Sequence, residues 1–276
     1  MSLLSYGLRR TGQTLPVALL VTVLIFLLIK LIPGDPASAI LGDRASDDAV
    51  PVADLLPRRA TVTLFLVLYS MVLSILIAVP LAVVASAHRD RWPDQLVRGL
   101  ITLPLASPAF WIGILLLIVF ALRLGWFPAS GYGDGFLEHL RHLFLPALTL
   151  SNAFTAVLTR NLRSALIDVQ ATTFVDFARA KGLDREAVLF RHVLRAALLP
   201  IVTLIGFRLS YAIGGSVVIE TVFALPGLGS WMVDSIFARD YMVVQTLTLA
   251  FALGAIVINL ATDLVYPLLD PRVRMG

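Results

Sequence analysis

The sequence predicts an all-α integral membrane protein with about six transmembrane helices and both termini on the cytoplasmic side. Three observations carry this. The 276-residue chain is 58% hydrophobic and only 14% charged, whereas a soluble domain carries roughly 25% charged residues. Its mean hydropathy is +0.89. Its apolar residues fall into stretches of the length that crosses a bilayer, separated by short loops whose Lys and Arg are unevenly distributed.

The spans lie near Leu8–Ile32, Val62–Ala87, Gly99–Leu122, Leu143–Ala165, Ala197–Ile219 and Val243–Leu268. Each has the roughly 20 residues that a membrane helix needs. Pro16, Pro80, Pro104, Pro108 and Pro146 fall inside them. Proline is tolerated in membrane helices where neighbours re-satisfy the freed carbonyls, and it favours kinked helices around a cavity over straight rods. Arg9-Arg10, the first apolar run and Ala37-Ser38-Ala39 imitate a cleavable secretory signal. The run is longer than such a signal uses, and Pro33-Gly34-Asp35-Pro36 makes a rigid turn before the supposed site, so the first span is expected to stay. Residues 1–60 then form the first helix and an outer loop. Residues 61–276 form the main body, with a polar block at 171–196.

With a cytoplasmic N-terminus, the inner side holds Arg9, Arg10, Arg89, Arg91, Arg98, Arg160, Arg163, Arg179, Lys181, Arg185, Arg191, Arg195, Arg272 and Arg274. The outer side holds Arg44, Arg58, Arg59, Arg123, Arg141 and Arg239, with Lys30 at a helix end. The bias of about two to one obeys the positive-inside rule. The chain has no cysteine, which excludes disulfides, thiolate metal sites and cysteine nucleophiles. It also has no Gly-x-x-x-x-Gly-Lys-Ser/Thr loop, so it does not bind and hydrolyse ATP by that route.

The most informative stretch is Asp176-Phe-Ala-Arg-Ala-Lys-Gly182-Leu-Asp-Arg-Glu-Ala-Val-Leu-Phe-Arg-His-Val-Leu-Arg195. It is too polar to enter lipid, yet its apolar residues recur at helical spacing. Gly182 permits a positive-φ corner between two helices. Asp184 suits the N-cap of a helix running to Arg195, with Glu186 in its first turn and Arg191, His192 and Arg195 toward its end, as the helix dipole favours. Leu183, Ala187, Phe190 and Leu194 make an apolar face. From physics alone, such a helix either rests on lipid headgroups or docks into a partner.

This block, placed between the fourth and fifth spans, resembles the coupling loop of ABC-importer permeases. That pattern begins Glu-Ala-Ala and sets a glycine four residues after the second alanine; here the positions read Asp176, Phe177, Ala178 and Gly182. His192-Val-Leu194-Arg195 followed by Leu199-Pro200 is similar to the peptide/nickel branch. So are Leu31-Ile-Pro-Gly-Asp-Pro-Ala37, Glu220-Thr-Val-Phe-Ala-Leu-Pro-Gly-Leu-Gly229, Arg239-Asp-Tyr241 with Val244-Gln245, and Leu269-Asp-Pro-Arg272. Together they match the branch's B-type subunit over nearly the whole chain. One departure is clear: the loop from about Gly34 to Ala60 lacks the Gly-Asp-Leu-Gly-like stretch usual there, and only Pro51-Val52 and Leu55-Leu56 look like its remaining end.

The resemblance implies a type I ABC-importer permease fold in the bacterial inner membrane, and a non-enzymatic subunit that forms half of a pathway for di- or oligopeptides. It implies a second homologous permease, two ATPase subunits and an extracytoplasmic solute-binding protein as partners besides the bilayer. ATP and magnesium belong to the ATPases, and no cofactor or nucleic acid to this chain. Asp176, Phe177, Ala178, Gly182, Leu183, Asp184, Glu186, Phe190, Arg191 and His192 are then the coupling residues.

Arg208, near the middle of the fifth span, either attracts a cargo carboxylate or pairs within the bundle. Glu220, Phe223, Pro226, Gly227 and Gly229 form a compact outer loop, read as a gate or docking surface or as a plain interfacial turn. Glu220 and Asp263, near span ends, are placed to snorkel to water and to anchor loops. Gly214-Gly215-Ser216 suits close helix approach, and Asn152 and Asn161 suit interhelical hydrogen bonding. His139 and His142 lie three apart in the second outer loop, and two imidazoles alone make a weak metal site. A nickel pore is expected to place imidazole or sulfur ligands inside a span, which favours peptide over nickel cargo. An ion-coupled transporter would need more charges within the spans, and a membrane enzyme a cluster of reactive groups at one depth.

Overall fold

The computed structural model of the chain describes residues 12–14, 16–24, 27 and 52–269. The 31–37 motif, residues 270–272 of the C-terminal motif, and the side chains of Arg179 and Asp263 lie outside the described residues. Among the described residues every regular element is a helix. Residues 12–14 and 16–24 are helical, within the expected first span. Then follow α1 (Val52–Ala87), α2 (Trp92–Ala106) and α3 (Ala109–Leu116), which runs into a wide π-type turn at Leu117–Arg123. Next come α4 (Phe136–Gln170), α5 (Thr173–Ala180) and α6 (Arg185–Val188). A second π-type turn, Leu189–Val193, leads directly into α7 (Leu194–Val222). The chain closes with α8 (Leu228–Phe237) and α9 (Tyr241–Leu269).

Among the described residues, three helices are long and apolar enough to cross a membrane: Asp54–Ala87, Phe136–Gln170 and Tyr241–Thr262. A fourth crossing is made by α2 and α3 if the bent pair is one span.

The centre of the bundle is the α1–α4 pair. Ser70, Ser74, Ala78 and Ala82 recur every fourth residue on α1 and are buried. On α4, Ala147, Ser151, Thr155 and Ala156 are buried as well. Small side chains let two helix backbones approach, which in lipid replaces the hydrophobic effect as the source of packing energy. Ser74 Oγ donates across the seam to the Ser151 carbonyl at 3.3 Å.

Val62 and Leu66 pack with Leu143 and Leu145, while Ala78 and Ala82 pack with Leu158 and Leu162, so α1 and α4 run parallel. The α7 helix runs antiparallel to both. Its Ala197 and Ile201 join the second cluster, and its Ile219 joins the first. At Gly206 the α7 backbone lies so near α9 that an added Cβ would stand 2.8 Å from Thr262 Cβ.

Four spans differ from expectation. The fourth runs from Phe136 to Gln170 rather than from near Leu143 to Ala165. The second helix begins at Val52, so helix already covers the last part of the expected outer loop. Hydropathy stops at Asp54, Arg58 and Arg59, but Val52, Leu56 and Ala60, four residues apart, pack on Leu228, Val243 and Leu247. Arg59 lies over the Trp231 ring, 5.0 Å from its centroid. The third expected span is two helices meeting at 106°. Ser107, before Pro108, is extended at φ −112° and ψ 142°, because the proline ring disfavours a helical residue ahead of it. Pro80, Pro104 and Pro146, by contrast, sit inside unbroken helices. The helix expected to run to Arg195 is not separate from the fifth span, since helix continues from Arg185 to Val222.

The close approach at Gly206 gives a direct test. Gly206→Ala is expected to lower stability by about 1–3 kcal/mol through overpacking, read as a fall in Tm in detergent. Adding Thr262→Gly should recover part of the loss, whereas an unrelated site should not.

Candidate functional site

Two clusters at opposite ends of the α1–α4–α7 core hold nearly all the residues singled out by sequence. The first is the 171–196 block. Thr173–Ala180 forms α5, and the chain reverses at Gly182 with φ 80°, a conformation that costs a residue with a Cβ about 1 kcal/mol or more. The Leu183 N–H bonds back to the Ala178 carbonyl at 3.4 Å, and the Lys181 N–H to that of Phe177 at 3.1 Å. Asp184 stands directly before α6, and its carbonyl accepts the Val188 N–H at 2.9 Å.

The block is two-sided. Val175, Ala178, Val188 and Val193 are buried against Leu158, Leu162 and Leu166 of α4 and Ala78 and Ala82 of α1. The other side carries Phe177, 71% exposed, and Phe190, 56% exposed, with Phe174 and Leu183 beside them. Asp176, Gly182, Asp184, Glu186, Arg191 and His192 are exposed as well. This revises the expected apolar face: Leu183 and Phe190 point outward, whereas Ala187 and Leu194 are half-buried. The inward face is a valine–alanine stripe, and within the π-type turn Val193 is buried while Phe190 is exposed. Of the predicted coupling residues, Ala178 alone is buried.

The second cluster is the hairpin from Glu220 to Tyr241, centred on one carboxylate. The α7 helix ends in a Schellman-type turn: Ala224, at φ 47°, donates to the Thr221 carbonyl at 3.3 Å, and Leu225 donates to that of Glu220 at 2.9 Å. Pro226 prevents further helix, and α8 begins after Gly227.

The first three N–H groups of α8 lack intrahelical partners, and all three are satisfied from outside the helix. Leu228 donates to Thr63 Oγ1 at 2.9 Å. Gly229 and Ser230 donate to Glu220 Oε2 at 2.7 and 3.2 Å. Thr63 Oγ1 in turn donates to Glu220 Oε1 at 2.8 Å. A carboxylate at a helix N-terminus is stabilised by the dipole as well as by the hydrogen bonds.

Glu220 is therefore fully buried and does not snorkel; its carboxylate bonds the backbone at the start of α8. Both glycines of the motif make room for it. A Cβ on Gly227 would overlap the carboxylate, and one on Gly229 would stand 2.9 Å from Oε2 and 2.5 Å from Val217 Cα. Phe223 and Leu225 are buried beneath, and Asp240 Oδ1 accepts the Val243 N–H at 3.1 Å, capping α9. Thr63 was missed by sequence reasoning, and no local signal marks it, since its partner is 157 residues away.

Arg208 joins neither cluster. It is half-buried on α7, with no ion-pair partner among the described residues. It begins an open stripe that continues through Tyr211, Gly214, Gly215, Val218 and Thr221. Gly214 meets nothing within 4 Å, and a Cβ on Gly215 would stand 3.4 Å from Leu150 Cδ1, so Gly206 rather than this pair is the site of tight helix approach. Asn161 Nδ2 donates within its own helix, to the Val157 carbonyl at 2.8 Å.

His139 and His142, expected in the second outer loop, lie in the first turns of α4 and tie down the loop backbone before it. The His139 Nδ1 pairs with the Tyr132 carbonyl at 2.9 Å, and the His142 Nδ1 with that of Ser130 at 3.0 Å. Among the described residues no group of three or more His, Asp or Glu is placed to hold a metal ion.

Residues 78–275 match the family described as binding-protein-dependent transport system inner membrane components. The chain is 34% identical over an alignment of 309 residues to the glutathione transport system permease protein GsiC of Salmonella paratyphi A, which covers 99% of both proteins. GsiC of Escherichia coli strain K12 matches at the same identity and coverage. Because the alignment is longer than this chain, the relatives carry segments it lacks.

Among solved structures, the inward-facing MetNI methionine ABC transporter superposes with a TM-score of 0.65 at 17% identity, covering 80% of this chain and 99% of that one. An amino acid ABC transporter crystallised with histidines gives 0.59 at 15% identity, covering 87% of this chain and all of the other. The fold and the family agree with the block and hairpin motifs: the chain belongs to the binding-protein-dependent transport system inner membrane components, as an ABC-importer permease of the peptide/nickel branch.

Proposed function

We propose that this chain is the B-type transmembrane subunit of an ATP-driven peptide importer of the bacterial inner membrane, with six spans, both termini cytoplasmic and a type I fold. The observation that carries the mechanism is the two-sided block. Its inner face is packed on α4 and α1, and its outer face leaves Phe177, Leu183 and Phe190 exposed. An exposed aromatic pair on a rigid, well-anchored lever suits a cleft on a partner far better than lipid headgroups, because the charges around it hold it out of the bilayer.

Two partner ATPase subunits bind and hydrolyse ATP with magnesium. Their closure displaces the block of each permease. Because the block is continuous with α7 and packed on α4, its movement tilts both and switches the cavity from inward- to outward-facing. This subunit forms half of that cavity with a homologous second permease. An extracytoplasmic binding protein delivers cargo at the hairpin end, where the Glu220-anchored loop forms the outer gate.

The similarity to glutathione permeases favours a short anionic peptide as cargo over nickel. The open α7 stripe headed by Arg208 is the proposed pathway wall, with the guanidinium attracting a carboxylate.

Three outcomes are expected in vesicles holding the whole transporter. Phe177→Ala removes an aromatic anchor worth about 2 kcal/mol or more, so ATPase subunits should co-purify poorly and uptake should collapse. Arg208→Met should depress uptake of peptides with a free C-terminal carboxylate more than of their amidated forms, with assembly intact. Equal loss for both forms would rule out carboxylate recognition. Gly227→Ala, which drives a methyl into the Glu220 carboxylate, should cost about 1–3 kcal/mol of stability and reduce uptake while leaving ATPase binding unchanged.

A further inference from the structure

The α2 helix is attached to the rest of the molecule by a narrow stripe. Only Asp94, Val97 and Ile101 are buried, meeting Ala85 of α1 and Ala156 of α4. Trp92, Leu96, Leu100 and Leu103 on its other sides are exposed. Beyond Ala106 the chain turns through 106° into α3, so α2 is not held in line by its covalent continuation. An apolar patch this small, half of it alanine methyls, attracts but resists sliding poorly, because dispersion is non-directional.

At the end of that stripe nearest the block stands a two-pronged ion pair. The Arg163 Nε donates to Asp94 Oδ1 at 2.6 Å, and its Nη2 to Oδ2 at 2.5 Å. The Asp94 side chain is fully buried, and that of Arg163 is partly buried, 18% exposed. Asp94 Oδ2 also accepts the Asp90 N–H at 3.0 Å, with the Arg98 guanidinium 3.4 Å away. Asp90 itself holds φ 60°, so the α1–α2 corner is folded around the same carboxylate.

The position of Arg163 on α4 gives the pair its meaning. Its neighbours Leu162 and Leu166 are buried against Val175, Ala178, Val188 and Val193 of the block. A cavity of about 700 Å³ lies between the α1–α2 corner and the block, lined by His88, Arg89 and Arg91 on one side and Glu186 and Leu189 on the other. The block therefore does not push on the corner across this gap, and its displacement reaches α2 through α4. A buried ion pair adds little net stability over an apolar pair of the same volume. What the two-pronged geometry adds is a defined relative position.

We propose that Asp94 and Arg163 are a positioning pair, a tether that makes α2 follow α4 when the block is displaced, so that the α2 wall of the pathway moves in step with ATP turnover. This rests on the reading of the block as the ATPase-driven lever. The test uses the complete transporter in vesicles, with ATP hydrolysis and peptide uptake measured on the same preparation.

The Asp94→Leu, Arg163→Met double variant replaces the pair by apolar side chains of similar bulk. It is expected to assemble and hydrolyse ATP normally, while peptide imported per ATP falls about fivefold or more, the scale of a typical coupling free energy. Arg163→Lys, which keeps the charge and loses the fork, should give an intermediate loss. Unchanged peptide per ATP in the double variant overturns the tether. So does a parallel fall of uptake and hydrolysis in proportion to assembled complex, which is the mark of a purely structural role. ATPase subunits that fail to bind even the unaltered chain overturn the importer reading along with it.

Discussion

The structure depends on how closely α1 can approach α4. In lipid, bringing two helices together hides no apolar surface from water, so the gain comes from backbone-to-backbone packing and from hydrogen bonds between helices. Ser70, Ser74, Ala78 and Ala82 supply the first. The Ser74 to Ser151 hydrogen bond supplies the second. Bulk at any of these four positions would hold α4 away, and both functional clusters would lose their support, because each is packed on one end of this pair.

The two ends are built by different physics. At the hairpin end, polar groups are buried and every one described in the cap is matched: one carboxylate and one hydroxyl satisfy three helix N–H groups. Such a network has one good arrangement and many costly ones, so it makes a stiff corner. At the block end the contacts are apolar and interchangeable, valines and alanines on leucines. That interface holds the block to α4 and α1 without committing a polar group. A hydrogen-bonded end and an apolar-packed end on one core suit a machine that holds shape at one side and receives force at the other.

Irregular backbone sits where these parts join. One π-type turn, Leu189–Val193, connects the block to α7. The other, Leu117–Arg123, ends α3, and Ser107-Pro108 breaks α2 from α3. Wide turns of this kind re-aim side chains without ending a helix. Here the first turns Val193 inward and leaves Phe190 outside.

The sequence by itself determined the class, the block and the hairpin. Hydropathy reports transfer from water to lipid, Gly182 reports a backbone angle, and Pro226-Gly-Leu-Gly229 reports a turn; all of these are local properties. It even marked the seam on α1 through small residues four apart, a signal that went unread because serine and alanine are unremarkable in an apolar run. What it left open was every decision made between distant segments. Glu220 reads as an exposed acid until Thr63 and the start of α8 close over it, and Arg163 reads as one more cytoplasmic charge until Asp94 meets it. Hydropathy also ended α1 at its charged residues, although Val52, Leu56 and Ala60 had a surface on α8 and α9 to cover. Burial and pairing depend on which surfaces come together, and that is settled only once the helices have packed.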